Sequence, residues 1–113
     1  MAGAFDPMLR EELEDLTAGV CRALNHPKRL MILYSLAVEP RSVGELCELL
    51  GVAQSNVSQH LAVLRNRGLV DAERDGNRAI YTLRDPRVVD AIEVLRQVTS
   101  DELDRRRAIR AGG

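Results

Sequence analysis

Aromatic residues are scarce in this sequence, with no Trp, two Tyr and one Phe among 113 residues, although 45% of the chain is hydrophobic. The core must therefore be aliphatic, which suits packed helices. No stretch approaches the ~20 apolar residues that a membrane span requires. The N-terminal residues also lack the basic start and the apolar centre of a signal peptide. We therefore expect a cytoplasmic protein that does not contact a membrane.

Cysteine and histidine are equally scarce, with two residues of each type. Two cysteines in a cytoplasmic chain argue against a disulfide framework and leave both as thiols. The sequence contains no glycine-rich phosphate loop, no nucleophile elbow and no histidine beside a candidate nucleophile. We therefore expect neither an enzyme nor a bound cofactor.

The charge is unevenly distributed in a chain whose length predicts one domain over residues 1–113 and whose net charge is −1. Residues 1–20 contain five acidic residues and one arginine, whereas residues 53–84 contain five arginines and three acidic residues. A locally basic surface in a nearly neutral protein is typical of a face that contacts nucleic acid. The second of these segments therefore holds the candidate functional surface.

A short amphipathic helix is predicted over residues 43–50. Ser42 and Glu45 have the spacing of a capping box at its start. Gly51 ends it, because glycine enters the left-handed conformation without steric cost. Apolar residues at i, i+3, i+4 and i+7 indicate one buried face, formed by Val43, Leu46, Cys47 and Leu50.

A second helix is predicted over residues 54–67, after a short turn, with Val57, Leu61 and Leu64 as its buried stripe. Donors and acceptors that can read base edges fill its first two turns, so this helix could enter a major groove. The alternative is a surface helix that is merely solvated. The polar residues are Gln54, Ser55, Asn56, Ser58, Gln59 and His60.

A β-hairpin is predicted over residues 69–83, because Asp75 and Gly76 lie between two segments of strand character. Arg74 and Arg78 flank the turn, where a wing would meet the phosphate backbone or the minor groove. Two helices at a tight turn followed by this hairpin predict a winged helix-turn-helix, mainly α with a two-stranded β wing.

Three segments carry a family resemblance that extends from about Arg22 to Asp101. They read ALNHPKRLMILYSL, SVGELCELLGVAQSNVSQHLAVLRNRGLV and RDGNRAIYTL. The chain resembles the ArsR/SmtB family of winged-helix bacterial transcriptional repressors. The resemblance implies a homodimer that binds double-stranded operator DNA and is released by a metal or another inducer. The residues that we predict to contact DNA are Gln54, Ser55, Asn56, Ser58, Gln59, His60, Arg65, Arg74, Asn77 and Arg78.

Three further helices are predicted, over residues 7–24, 27–38 and 86–107. Pro7, Pro27 and Pro86 mark their starts. The second of them is apolar almost all round, which indicates a core element. The first and last have apolar stripes that the core does not need, so we expect these terminal helices to form the dimer interface. Two recognition helices roughly 34 to 36 Å apart would then read a pseudo-palindromic operator. The alternative is that both stripes pack within one chain.

The metal sites of the resembling proteins do not transfer to this sequence. The zinc-ligand positions fall on Asp85, Arg87, Val98 and Asp101, and two carboxylates alone make a poor tetrahedral site. We therefore predict no zinc site on the last helix.

The thiolate positions of the arsenic-sensing members fall on Ser42, Gly44 and Cys47, so one thiol of three is present. A soft trivalent ion needs two or three sulfur ligands. Cys47 and Cys21 are most simply small core residues. A thiol-based switch that uses one or both is the alternative, and soft-metal binding is a third.

A winged-helix module that binds proteins and never DNA is the rival function. Such a module would not need base-reading residues between Gln54 and Gln59, nor arginines on its wing. These residues favour a DNA-binding repressor.

Overall fold

The computed structural model describes residues 4–112, which form five α-helices and one small sheet. A π-helical segment, Thr17–Cys21, continues the first helix. The helices are α1 (Pro7–Leu16), α2 (Pro27–Val38), α3 (Val43–Leu50), α4 (Gln54–Asn66) and α5 (Arg87–Gly112), and the strands are β1 (Arg41–Ser42), β2 (Val70–Asp75) and β3 (Arg78–Leu83). No helix within residues 4–112 is both long and apolar enough to cross a membrane.

The sheet has three strands in the order β1-β3-β2, so the prediction of a two-stranded wing is wrong. In the antiparallel pairing of β1 with β3, Arg41 lies opposite Tyr81 and Ser42 lies opposite Ile80. A two-residue strand is too short to show an alternating pattern. It forms because Ser42 caps α3, and a capping residue has extended backbone dihedrals that also allow strand pairing.

The β2–β3 hairpin confirms the predicted turn. Asp75 pairs with Arg78, so the loop consists of Gly76 and Asn77. Gly76 has φ of +64°, and among residues 4–112 every residue with positive φ is a glycine. Glycine at the first loop position is the arrangement of a type II′ turn, whose twist matches that of the strands.

The helix-turn-helix is held by the predicted caps. The Ser42 backbone N–H donates to Glu45 Oε1 at 3.1 Å, and the Glu45 backbone N–H donates to Ser42 Oγ at 3.2 Å. Gly51 ends α3 in the left-handed conformation with φ of +67°, and its N–H donates to the Cys47 carbonyl at 2.8 Å. The chain can therefore reverse within a few residues and begin α4.

The core is aliphatic and lies between α2, α3, α4 and the sheet. Val57, Leu61 and Leu64 of α4 are fully buried, which confirms the predicted stripe. Helix α2 is a core element as predicted, with Ile32, Leu33 and Leu36 buried, but its apolar residues do not all face the core, because Met31 and Val38 are 51% and 74% exposed. Helix α2 lies at the edge of the core, and its opposite face is left for solvent or a partner. The other fully buried large side chains are Ile32, Leu33, Leu46 and Val70.

The terminal helices differ in detail from their predicted bounds. The predicted helix 7–24 is regular α-helix only to Leu16, because the π-helical segment follows. Helix α5 extends to Gly112, five residues beyond the predicted end at residue 107. Glu102 forms ion pairs with Arg105 and Arg106, one helical turn away, and such pairs stabilise an exposed helix.

Helix α5 is attached to α2 by apolar and polar contacts. Val89 and Ile92 are buried against the core. The Tyr34 hydroxyl donates to Glu93, and Arg96 Nη1 lies 2.5 Å from the same carboxylate. The bond to Glu93 raises the pKa of Tyr34, and both partners lower the pKa of Glu93. The first turns of α5 are therefore fixed, while its later turns extend away from the core.

Truncation of Leu61 tests the core that orients α4. Leu61→Ala should lower the free energy of unfolding by ~2–5 kcal/mol in urea denaturation, because it leaves a cavity in a fully buried site. Leu49→Ala is the matched control, since Leu49 of the neighbouring helix is 55% exposed. This substitution should lower the free energy of unfolding far less. Equal losses in the two variants would contradict this description of the core.

Candidate nucleic-acid interface

The first two turns of α4 present a continuous polar surface. The inner face of the helix is buried, so the opposite face is turned outward. Five of the predicted base-reading side chains lie on exposed positions: Gln54, Ser55, Asn56, Ser58 and Gln59. The geometry therefore leaves their donors and acceptors accessible to a ligand outside the protein.

One groove lies between the start of α3, the start of α4 and the tip of the hairpin. It brings together three of the predicted DNA contacts, Gln54, Asn77 and Arg78. Arg78 Nη1 lies 4.0 Å from Glu45 Oε1, and the Arg78 side chain is 62% exposed. The pKa of Glu45 is lowered, mainly by the Ser42 backbone N–H, so its carboxylate stays ionised. An exposed pair at this distance is weak, and Arg78 can leave it for a phosphate.

A second groove lies between α4 and the sheet. It is lined by Ser58, Ala62, Arg65, Asn66 and Tyr81. Ser58 and Arg65 were predicted to contact DNA, whereas Tyr81 of β3 and Asn66 were not. The available signal for Tyr81 was its rarity, as one of two tyrosines in a chain poor in aromatic residues. Its place beside α4 depends on how the sheet packs, which no local pattern encodes.

The arginines of this region are not equally available. Arg84 is bound to Asp71, with Nη2 and Oδ1 2.6 Å apart, and this bond lowers the pKa of Asp71. Within residues 4–112, no acidic side chain lies within ion-pair distance of Arg65, Arg67 or Arg74. Together with the weakly paired Arg78 of β3, these are the arginines of this region that remain for a polyanion.

His60 occupies a different environment from its predicted neighbours. It is partly buried, and its Nδ1 accepts a hydrogen bond from Arg29 Nε at 3.3 Å. Its ring centroid lies 4.3 Å from that of His26. Burial lowers the pKa of His60, and electrostatic repulsion from His26, Arg29 and Lys28 lowers it further. A direct contact between His60 and DNA stays a prediction, and the structure adds a partner on α2.

The candidate sensor positions are dispersed. Cys21 is exposed in the π-helical segment, so its interpretation as a core residue is wrong, whereas Cys47 is partly buried against the core. Asp85 is bound by Arg87, with Nη2 and Oδ2 2.6 Å apart, and this bond lowers the pKa of Asp85 to about 2. In the part of the chain that the structure describes, no three His, Cys, Asp or Glu side chains are grouped so as to hold a metal ion.

Comparisons with known proteins agree with this arrangement. The family model described as "Bacterial regulatory protein, arsR family" matches residues 26–72, which include the whole helix-turn-helix. The HTH-type transcriptional regulator Rv0081 of Mycobacterium tuberculosis is 42% identical over 111 residues, covering 94% of this chain and 97% of the relative. YgaV of Escherichia coli, also an HTH-type transcriptional regulator, is 42% identical over 82 residues, covering 72% of this chain and 83% of YgaV.

Solved structures of similar proteins have the same fold. The crystal structure of Rv0081 has a TM-score of 0.71 at 38% identity, over 90% of this chain and 98% of that chain. The solution structure of the homodimeric winged helix-turn-helix DNA-binding domain of Mb0332, from Mycobacterium bovis, has a TM-score of 0.74 at 31% identity, over 93% of this chain and 95% of that chain. This chain therefore belongs to the ArsR family of bacterial regulatory proteins and is a winged helix-turn-helix transcriptional regulator.

Proposed function

We propose that this regulator is a repressor that binds a pseudo-palindromic operator as a homodimer, with residues 1–113 as one DNA-binding domain. The observation that carries the proposal is the exposed polar surface of α4, which lies between two grooves that contain arginines. An α-helix with this surface fits the roughly 12 Å width of the major groove. We assign no catalytic step, because the relatives described above are regulators.

We assign the predicted DNA contacts to two groups, those to the bases and those to the phosphate backbone. The amides of Asn56 and Gln59 can pair with adenine through two hydrogen bonds, so they are our candidates for base reading. Arg78 and Arg65 in the two grooves are our candidates for phosphate contacts, together with Tyr81. Phosphate contacts give affinity and register, whereas base contacts give sequence preference.

The terminal helices are our candidates for the dimer interface. Within residues 4–112, the main contacts of α1 are with the π-helical segment that continues the same helix, whereas α5 packs on α2. Each helix leaves large apolar side chains exposed, and burial of such side chains favours association. Mb0332 is a homodimer with the same fold, which favours a second copy of this chain as the partner. The exposed side chains are Leu9, Leu13 and Leu16 of α1 and Val94, Leu95 and Val98 of α5.

Release by an inducer is part of the proposal, with the inducer unidentified. A thiol-based signal at Cys21 or Cys47 remains a hypothesis. The rival function, a module that binds proteins and never DNA, would leave every duplex unbound at low salt. A complex with DNA that weakens several-fold as salt rises would instead support the repressor.

Base reading is tested with substitutions on α4 and on the hairpin. A preferred duplex is first selected from a random pool with the wild-type protein. Asn56→Ala and Gln59→Ala should then each cost ~1–3 kcal/mol on the selected duplex and relax base preference, because they remove contacts to base edges. Arg78→Ala should weaken selected and unrelated duplexes alike, because a phosphate contact carries no sequence information.

Fluorescence anisotropy at two salt concentrations measures these affinities. Glu48→Gln is the control, because Glu48 lies in the Arg78 groove but is an acid that a phosphate would avoid. Asn56→Ala should lose more affinity for the selected duplex than for unrelated duplexes. Equal losses on the two kinds of duplex would contradict the base-reading assignment.

Dimerisation is tested by charging the stripe of α1. Leu13→Glu should convert a dimer to a monomer in sedimentation equilibrium. Each buried leucine contributes ~1.5–3 kcal/mol and is lost twice in a symmetric interface, so dimer affinity should fall roughly 100-fold or more. Glu12→Gln, one residue away on the same helix, should leave the dimer intact. A Leu13→Glu protein that dimerises as tightly as wild type would exclude α1 from the interface.

A further inference from the structure

One guanidinium joins two parts of the molecule that are distant along the chain. Arg29, in the first turn of α2, donates from Nε to His60 Nδ1 of α4 at 3.3 Å. Its Nη1 donates to the backbone carbonyls of Arg22 and Ala23, at 3.3 and 3.2 Å. These carbonyls lie at the end of the helical arm formed by α1, the π-helical segment and residues 22–23. Arg29 is therefore bonded at once to this helical arm and to α4.

The carbonyls that Arg29 binds need a donor. The last carbonyls of a helix lack partners within the helix, and a cation at that end is favoured by the helix dipole. Asn25 N–H also donates to the Arg22 carbonyl, at 3.3 Å, as the chain turns towards α2. Ala23 is fully buried, whereas Arg22 beside it is exposed, so the arm meets the core through Ala23. Arg29 thus completes the hydrogen bonding where the helical arm meets the core.

The bond to His60 has a defined donor and acceptor. Nδ1 can accept a hydrogen bond only when the imidazole is neutral and carries its proton on Nε2. The His26 ring contacts His60, and its own Nδ1 accepts from the Lys28 backbone N–H at 3.1 Å. His60 is therefore held on two sides by residues at the start of α2. A guanidinium has a rigid planar fork, so its bonds fix direction as well as distance.

We propose that Arg29 is a positioning residue for operator binding, which sets the angle between the helical arm and the recognition helix α4 through His60. The inference rests on the proposed function, in which the terminal helices pair and the two α4 helices enter successive grooves. The helical arm of 17 residues is ~25 Å long, so a change of about 10° at its base displaces its far end by about 4 Å. That distance exceeds the ~3.4 Å between base pairs. Arg29 therefore determines which half-site spacing the dimer accepts.

The experiment compares duplexes that differ only in the spacing of their half-sites. The probe is the duplex that wild-type protein selects from a random pool, with one or two base pairs then inserted or deleted between its half-sites. Wild type should lose at least 10-fold in affinity on either change. Arg29→Ala should bind the original duplex about 10-fold more weakly and lose less than 3-fold when the spacing changes. Arg29→Lys keeps the charge but not the fork, and should resemble Arg29→Ala.

Lys28→Ala is the matched control, because it removes one positive charge from the adjacent residue and leaves the fork in place. It should weaken binding to all duplexes and keep the spacing preference of wild type. An Arg29→Ala protein that keeps that preference would overturn the proposal while leaving the proposed function intact. Failure of wild type to select any duplex would overturn both.

Substitution of His60 tests the same link without changing the helical arm. His60→Asn retains an acceptor oxygen near the position of Nδ1 and should keep the spacing preference, whereas His60→Ala should lose it as Arg29→Ala does. If Arg29→Ala does not fold, this pair decides the question. A wild-type spacing preference in His60→Ala would overturn the proposal.

Acid should weaken the link, because protonation of Nδ1 removes the acceptor. The pKa of His60 is below that of an unfolded histidine, ~6.5, since burial and electrostatic repulsion from His26, Arg29 and Lys28 disfavour the cation. The unfolded chain therefore binds more protons, and stability falls as the pH drops below ~6.5.

Urea unfolding at about pH 7.5 and about pH 5.5 measures this effect, in a window above the ~4 at which carboxylates titrate. The free energy of unfolding of the wild type should be smaller at the lower pH. The decrease between the two pH values should be clearly smaller for His60→Asn. An equal loss in both would show that His60 does not carry the acid sensitivity.

Discussion

The burial of one face of α4 is the constraint on which the interface depends. Val57, Leu61 and Leu64 are fully buried where α4 packs against α3, β2 and α2, and this packing fixes which face of the helix remains outside. The polar residues need no partners within the protein, because they lie on the exposed side. An aliphatic core thus produces a rigid polar surface. Apolar residues that recur with the helical period bury one face of α4, and the polar residues between them form its exposed face, all within thirteen residues.

The location of the charged residues matters more for the interface than the net charge of the chain. A net charge of −1 would not favour a polyanion. The structure pairs Arg84 with Asp71 and leaves Arg65, Arg67 and Arg74 without an acidic partner among the described residues. The weak pair between Arg78 and Glu45 occupies the groove beside the first residue of α4. Arg65 and Arg78 therefore place positive charge beside the polar surface of α4, although the chain as a whole is slightly acidic.

The helical arm and α4 must keep a fixed relation if two copies are to meet one duplex. The helical arm packs on the core near its end, through Val20 and Ala23, while the apolar side chains of α1 farther out are exposed. Arg29 supplies bonds at the junction, and Tyr34 and Glu93 attach α5 to the same helix, α2. Helix α2 is therefore the element to which both terminal helices and the recognition helix are tied.

The sequence by itself determined the local structure of this protein: five helices, a tight turn at Gly51, a hairpin at Gly76 and the polar surface of α4. Caps, turn glycines and helical periodicity act within a few residues, so a single sequence contains them. Tertiary structure alone decided the pairing of Arg41 with Tyr81, the place of Tyr81 beside α4, and the bond of Arg29 to His60, 31 residues away. These contacts join residues that share no local pattern, because they arise only when the packing of the core brings separate elements together.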